Sequence, residues 1–280
     1  MDYWYGVEVL TQRVLNFPVL LFLSSVLVLW LSAQIGASLR RRQPLKDDER
    51  EDFGVVQAAT LTLLGLLIGF SFAMAISRYD QRKNYEATEA NAIGTEYFRA
   101  GLMPAAHAAA LRTQLKRYLE LRILFYQTRT TRRLQNLTAD TVQLQAEMWS
   151  AVQTPALSQA TPVMALAVSG MNDVLNSQAY TQAAWLNRIP IAAWSLLIVT
   201  AIFCNALIGY GARSANTRAV LLLVLPLVVS ISFLLMADID SPRGGLIQVA
   251  PNNLESLSQS LNDQLSIRLS TSEKAVVNSK

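Results

Sequence analysis

The sequence predicts an all-α membrane protein with four transmembrane helices and a large helical aqueous domain between the second and the third. Two observations support this prediction. Four stretches contain no Asp, Glu, Lys, Arg or His, and each has about the 20 residues that a helix needs to cross a bilayer. These stretches are 17–39, 54–77, 189–212 and 219–237. The rest of the chain carries all 24 Lys and Arg and all 20 Asp and Glu, as a water-exposed protein would.

The four apolar stretches should be helices, because a backbone in lipid must satisfy its own hydrogen bonds. This composition excludes a simple globular enzyme, a disordered tail and a disulfide scaffold, since Cys204 is the single cysteine. The first stretch is interpreted as a span rather than a signal peptide. The residues before it include two acidic side chains, Asp2 and Glu8, and one basic side chain, Arg13. They therefore lack the positively charged n-region of a signal peptide.

The sequence divides into four segments. Spans one and two follow the N-terminus, an aqueous domain separates them from spans three and four, and a C-terminal segment packs on that domain. The boundaries are 1–77, 78–188, 189–237 and 238–280. Within the aqueous domain, the positions of Gly and Pro and the helical spacing of apolar residues predict four helices. They cover 78–101, 105–135, 138–153 and 163–188. The first of these continues span two without a stop.

Apolar spacing also predicts which helix faces are buried. Pro155 and Pro162 are expected to bracket a turn. The predicted apolar faces are Leu111, Leu115, Tyr118, Leu119 and Phe125 in one helix, Val142 and Trp149 in the next, and Leu254, Leu257, Leu261 and Leu265 near the C-terminus.

Charge is unevenly placed along the chain. Segment 78–188 holds 12 Lys or Arg and 8 Asp or Glu, which accounts for the net charge of +4. A mildly basic domain favours anions nearby, but no nucleic-acid motif is present. Seven Lys or Arg flank the spans on the short-loop side and six on the other. This count leans slightly toward short loops in the cytoplasm.

Residues for catalysis are missing. His107 is the single histidine. The sequence has no Cys and His residues at the spacing of a zinc site, and no phosphate-binding glycine loop. Glu86, Glu89 and Glu96 share one helix and could bind a cation. Their spacing to Arg78, Arg82 and Lys83 instead predicts ion pairs along that helix.

Span two is the most informative segment. Gly65 and Gly69 form a GxxxG pattern, which lets another helix approach closely. At 100° per residue two stripes lie on opposite faces. One is polar: Gln57, Thr60, Leu64, Ser71, Ala75, Arg78 and Arg82, continuing through Glu86, Glu89 and Glu96. The other is Thr62, Leu66 and Phe70. Either face could line a pore, or both could serve helix packing.

The fourth span ends in Asp238 and Asp240. An acidic pair at a span exit can bind Ca²⁺ through oxygen ligands. The favoured alternative is an ion pair with Arg243 and a turn formed by Pro242, Gly244 and Gly245, since two carboxylates do not complete a calcium shell.

Several motifs together resemble the bestrophin-like domain family of bacterial membrane proteins. They are Leu64-Gly65-Leu66-Leu67-Ile68-Gly69-Phe70-Ser71-Phe72, Arg78-Tyr79-Asp80, Glu89-Ala90-Asn91-Ala92-Ile93-Gly94-Thr95, Asn187-Arg188-Ile189-Pro190 and Asp238-Ile239-Asp240-Ser241-Pro242-Arg243-Gly244-Gly245-Leu246-Ile247. The family is more distantly similar to bestrophins, which are pentameric anion channels.

The resemblance implies a homo-oligomer, a pentamer by analogy, in a bacterial inner membrane, permeable to anions such as chloride. It places a hydrophobic neck at Thr62, Leu66 and Phe70. Separately, we expect Arg78 and Arg82 to be charges at the pore mouth. At the positions of Thr62 and Leu66, bestrophins have the bulkier residues Ile and Phe. It also implies a calcium clasp at Asp238 and Asp240, and a cytoplasmic aqueous domain, which opposes the charge count.

Two hypotheses remain open. The first is an oligomeric, anion-permeable channel whose pore is lined by span two. The second is a non-conducting scaffold or sensor that acts through its helical domain. The expected partners are the lipid bilayer, further copies of the chain and permeant anions. No nucleic acid is expected, and the only cofactor considered is Ca²⁺.

Overall fold

The computed structural model describes residues 18–42, 46, 48–212 and 215–263, except for the side chains of 215–221. These residues form eight α-helices, a short 3₁₀ turn at Ala100–Leu102 and no strand. The helices are α1 Pro18–Arg42, α2 Glu49–Arg99, α3 Ala105–Gln127, α4 Thr131–Ser158, α5 Pro162–Leu186, α6 Ile191–Gly211, α7 Ala215–Asp240 and α8 252–263.

The predicted all-α architecture with four spans is confirmed. Four helical stretches, within α1, α2, the α5–α6 stretch and α7, are long and apolar enough to cross a membrane. Helix α2 has 51 residues, far more than a bilayer requires. Only its charge-free part, 54–77, is a spanning segment, and Arg78 begins the part outside it. The predicted continuation of span two as a helix is therefore confirmed.

The chain divides into two compact units, and helix α2 contributes to both. The span unit comprises Met1–Tyr79 and Asn187–Gln248, and the helical unit comprises Asp80–Leu186 and Val249–Lys280.

Within the span unit, α1 packs closely on α6 because glycine stands at the crossing. A Cβ on Gly36 would lie 2.0 Å from the carbonyl oxygen of Ala206, and one on Gly209 would lie 1.9 Å from that of Ala33. Ser32 donates to the carbonyl oxygen of Ile202 at 2.7 Å across the same contact. Small residues that allow backbones to touch are a common device in membrane helices. This contact was not predicted, although Ala33, Gly36 and Gly209 were visible in the sequence.

Two helix boundaries in the helical unit differ from prediction. The helix predicted over 105–135 ends at Gln127, because the backbone of Thr128 and Thr130 is extended, as β-branched residues favour. The next helix begins at Thr131 and continues through Pro155 to Ser158. Pro155 therefore lies in the last helical turn, and the turn follows it at 159–161.

The predicted buried faces are partly right. Leu111, Leu115, Tyr118 and Leu119 of α3 are buried, and Phe125 is half-buried. In α4 the prediction was wrong, because Val142 is 59% exposed and the buried face is instead Leu137, Leu144, Met148 and Val152. Leu254 and Leu261 of α8 are buried, whereas Leu265 lies outside the described residues.

Candidate functional site

The candidate site is α2, whose two faces differ in what covers them. In the span unit the polar stripe is the packed face. Leu64, Ser71 and Ala75 are buried, and Leu64 and Ala75 join a core that includes Trp194 and Phe233. The polar stripe therefore holds α2 to its own chain and does not line an open passage.

The opposite face of α2 is not covered by any other described part of the chain. Leu66 is 53% exposed and Phe70 is 63% exposed, and Thr62 is exposed as well. The exposed sector of 54–77 is roughly 200° wide at 100° per residue. These three residues lie in its middle part, spaced by four and so about 6 Å apart along the axis. We call this side of α2 the free face.

Gly65 and Gly69 lie on one flank of the free face. No other atom of the described chain lies within 4 Å of where their Cβ atoms would be. The close helix approach predicted for this GxxxG pattern is therefore not made by the helices that the structure describes within one chain. The pattern remains available to a helix of a second copy.

Arg78 and Arg82, the predicted pore-mouth charges, point away from the free face. Arg78 is half-buried and donates from Nη1 to Oδ1 of Asn187. Arg82 is only 1% exposed and donates from Nε to the carbonyl oxygen of Ala184 at 3.2 Å. Both stand roughly 160–200° from Thr62 around the helix.

The three glutamates of α2 are buried in the helical unit, and the hydrogen bonds described for Glu86 and Glu89 come from other helices. The ion pairs predicted for the glutamates along α2 stay a prediction. Glu86 caps α8. Its Oε1 accepts from the backbone N–H groups of Asn253 and Leu254, both at 2.9 Å. A carboxylate satisfies the free N–H groups of a helix N-terminus and is also favoured by the helix dipole.

Glu89 forms a buried ion pair with Arg122 of α3. Oε1 accepts from Nε of Arg122, and Oε2 accepts from Nη2 at 3.3 Å and from the hydroxyl of Thr181 at 3.1 Å. Burial would lower the pKa of the Arg122 guanidinium, but the charge of Glu89 raises it above its ordinary value. This cluster joins α2, α3 and α5 within the helical unit.

Glu96 is fully buried and differs from the other two. Neither of its carboxylate oxygens has a hydrogen-bond partner among the described residues. Burial raises its pKa to about 8, although Arg99 lowers it. Glycine makes room for the carboxyl group, because a Cβ on Gly170 would lie 1.9 Å from Oε2 of Glu96.

A shallow groove of about 380 Å³ lies between α2 and α8 in the helical unit. Asn91, Thr95 and Phe98 line it from α2, and Ser256 and Ser260 line it from α8. The residues that line it carry no charge.

The two aspartates at the C-terminal end of α7 do not fit a calcium site. Asp238 accepts from the N–H groups of Leu246 and Ile247 at 2.7 and 2.8 Å, and Asp240 accepts from that of Ile189 at 3.1 Å. Among the described residues no group of three or more His, Cys, Asp or Glu could hold a metal. Ca²⁺ takes six to eight oxygens, whereas Asp238 fixes the turn that follows α7 and Asp240 holds the backbone just before α6.

The domain model of the bestrophin-like family matches residues 19–254 of this chain. The chain belongs to the bestrophin-like family. No curated protein matches it by sequence.

Among solved structures, the bestrophin-like chain resembles a bacterial bestrophin homolog from Klebsiella pneumoniae. The two share 15% identity and a TM-score of 0.62, over 88% of this chain and 97% of the homolog. Two mutant forms of that homolog match at 14% identity, with TM-scores of 0.62 and 0.61 and 86% of this chain covered. The match extends over 96% and 98% of those two mutant chains. At this identity the similarity establishes the fold alone.

Proposed function

We propose that this bestrophin-like protein is a homo-oligomeric ion channel of the bacterial inner membrane, with a pore lined by the free face of α2. The observation that carries the proposal is the two-faced span. Its polar side packs against other described helices of the same chain, while Leu66 and Phe70 are exposed on the other side.

A single α2 cannot enclose a passage, so the proposal requires several copies around an axis. Gly65 and Gly69 flank the exposed apolar residues, and no other helix among the described residues lies within 4 Å of their Cβ positions. A neighbouring α2 could approach there closely, as small residues permit. A pentamer, as the resemblance implies, would place five free faces around one pore.

Thr62, Leu66 and Phe70 then form three stacked rings. Rings of apolar side chains can close a pore to ions by excluding water. Thr62 and Leu66 are smaller than Phe70, so we assign the tightest ring to Phe70.

The resemblance extends the proposal to anion permeability, with chloride as the test ion. The excess of Lys and Arg in 78–188 supports anion attraction at long range. Arg78 and Arg82 do not add to it at the wall, because they face into the protein.

The experiment is ion flux through purified protein in liposomes and planar bilayers, with oligomeric state measured by native mass spectrometry. Phe70→Ala should increase conductance by removing the tightest ring. Phe203→Ala is the matched control, because Phe203 of α6 is 62% exposed and Phe70 is 63% exposed. An equal effect of both substitutions would refute the neck assignment. A stable oligomer without conductance would refute the channel and favour a scaffold or sensor that acts through the helical unit.

A further inference from the structure

A groove of about 420 Å³ lies in the span unit where α2, α6 and α7 meet. Its volume falls within the roughly 300–1,000 Å³ that is usual for sites of small molecules. Its wall is apolar except for one amide, and it is formed by Gln57, Ile208, Gly211, Ala212, Leu222, Val224 and Leu225. An apolar groove in a membrane-spanning unit is accessible to the components of the bilayer.

The groove lies near one end of the spans, at the level of the membrane surface. Gly211, which ends α6, lines it. The preceding residue, Tyr210, packs its ring on Phe53 near the start of α2, with ring centroids 5.5 Å apart. Tyrosine is enriched where a membrane protein crosses from lipid to water. The groove is therefore at the depth where phospholipid headgroups meet their acyl chains.

Arg40 fixes the end of α1 beside this groove. Its Nη1 donates to the carbonyl oxygens of Tyr210 and Gly211, at 2.9 and 3.0 Å. A basic side chain can satisfy the last carbonyl groups of a helix in this way. The arginines that follow in α1 are thereby held close to the groove.

Arg41 lies on the groove side of α1. It follows Ala37 by four residues, which is about 40° around the helix. Ala37 is buried against Leu222, and Ile208 and Ala212 pack on the same cluster. Arg41 is exposed and forms no hydrogen bond or ion pair among the described residues, so its guanidinium group can bind an anion.

Gln57 supplies the amide of the groove. A Cβ on Gly211 would lie 3.2 Å from Oε1 of Gln57, so the amide group is directed toward the lining at the end of α6. It forms no hydrogen bond among the described residues. Its N–H groups can therefore donate to an oxygen of a bound molecule.

The acidic residues in the first turn of α2 point away from the groove. Relative to Gln57, Glu49 lies roughly 80° around the helix, and Glu51 and Asp52 lie roughly 120° and 140° around it. Arg50 lies only about 20° from Gln57 and is half-buried. The charge on the groove side of α1 and α2 is therefore basic.

We propose that this groove binds a phospholipid with an anionic headgroup. One acyl chain lies along the apolar wall, the phosphate lies next to Arg41, and the amide of Gln57 donates to a phosphate or ester oxygen. Basic residues at the end of a span attract anionic lipids, and basic pockets between spans bind their headgroups. The inference does not depend on the channel function, because the groove belongs to the span unit of a single chain.

The test is native mass spectrometry of the full-length protein in detergent micelles, titrated with phosphatidylglycerol or with phosphatidylcholine of the same acyl chains. We expect tighter binding of phosphatidylglycerol. Arg41→Gln should weaken it about fivefold, the contribution of one basic residue at an anionic membrane surface. Arg42→Gln is the matched control, because Arg42 is also exposed but lies about 140° from Ala37 around α1.

A second pair of variants tests the apolar wall. Val224→Phe should fill the groove and weaken phosphatidylglycerol binding severalfold. Val228→Phe is its control, because Val228 lies one turn further along α7 and is 56% exposed, against 49% for Val224. Gln57→Leu, which has a similar size, should weaken binding as well and tests the site even if Val224→Phe does not fold. Circular dichroism and thermal melting verify that each variant is folded.

Three results would overturn the proposal. Equal affinity for the two lipids would exclude recognition of an anionic headgroup. Equal losses in Arg41→Gln and Arg42→Gln would indicate diffuse attraction to the surface in place of a site. Unchanged lipid binding in Val224→Phe, accompanied by a changed oligomeric state, would show that a second copy of the chain occupies the groove.

Discussion

Replacing Glu96 by Gln should stabilise the protein at neutral pH and remove a pH dependence that the wild type has. Glu96 is fully buried, with no hydrogen-bond donor on either carboxylate oxygen among the described residues. Burial raises its pKa from 4.5 to about 8. Gln has nearly the same shape as the protonated carboxyl group and never ionises.

The direction of the effect follows from proton binding. Between pH 4.5 and about 8 the folded protein keeps the proton on Glu96, whereas the unfolded chain has lost it. The free energy of unfolding of the wild type therefore decreases as the pH rises through this window. Below it both states are protonated, so Glu96 imposes no penalty there. Above it the penalty is complete.

The magnitude follows from the raised pKa. At about 1.4 kcal/mol per pKa unit, the complete penalty is at most about 5 kcal/mol. That pKa already includes the attraction of Arg99, and relaxation of a buried site reduces the penalty further, so we expect on the order of 2 kcal/mol. For a protein of this size, 2 kcal/mol corresponds to roughly 4–8 °C in the melting temperature.

The assay is thermal unfolding of the purified protein in detergent from pH 4.5 to 9. Glu96→Gln should melt with the wild type at the acidic end and several degrees above it at the alkaline end. Glu120→Gln, at an exposed glutamate of α3, controls for loss of a charge. A Glu96→Gln protein that parallels the wild type across the range, or melts lower throughout, would show that Glu96 is not a buried neutral acid.

Three further predictions concern packing. Glu86→Ala should speed amide exchange at the start of α8, measured by hydrogen–deuterium exchange, because the cap is worth about 1 kcal/mol. Unchanged exchange would contradict the cap. Gly36→Ala should lower the melting temperature, with a penalty of about 1–3 kcal/mol for the backbone clash, whereas Gly65→Ala should leave a monomeric form unaffected; equal effects would contradict this contrast. Arg122→Met should destabilise by about 3–5 kcal/mol, and adding Glu89→Leu should recover much of this in a double-mutant melting experiment. No recovery would argue against a direct pair.

The spans were predictable because one physical rule dominates them. A charge inside lipid is costly, so the four uncharged stretches predicted the four spans. The boundary after α3 was not predictable from spacing alone, because the break at Thr128–Thr130 interrupts a region whose helical periodicity continues on both sides. The turn predicted to begin at Pro155 begins later, because proline is tolerated in the last turn of α4.

The partners of the buried glutamates could not be predicted from local spacing. An ion pair one turn away on a helix is worth only about 0.2–0.5 kcal/mol, so it does not determine which partners a buried carboxylate finds. Glu86 accepts from a backbone N–H 167 positions away, and Glu89 pairs with an arginine 33 positions away. The sequence singled out α2 as the candidate pore helix and indicated both of its stripes. It did not identify which stripe faces inward.

The acidic residues of α2 lie on two opposite sides of the helix. Glu86, Glu89 and Glu96 lie on the buried side, where each is fixed by packing in the helical unit. Asp80 lies on the opposite side, is exposed, and forms no hydrogen bond or ion pair among the described residues. Substitutions in the first group should therefore change stability, whereas Asp80→Asn should leave the melting temperature unchanged. A loss of stability in Asp80→Asn would mean that the free face is a packing surface, and the assignment of the pore wall to α2 would fail with it.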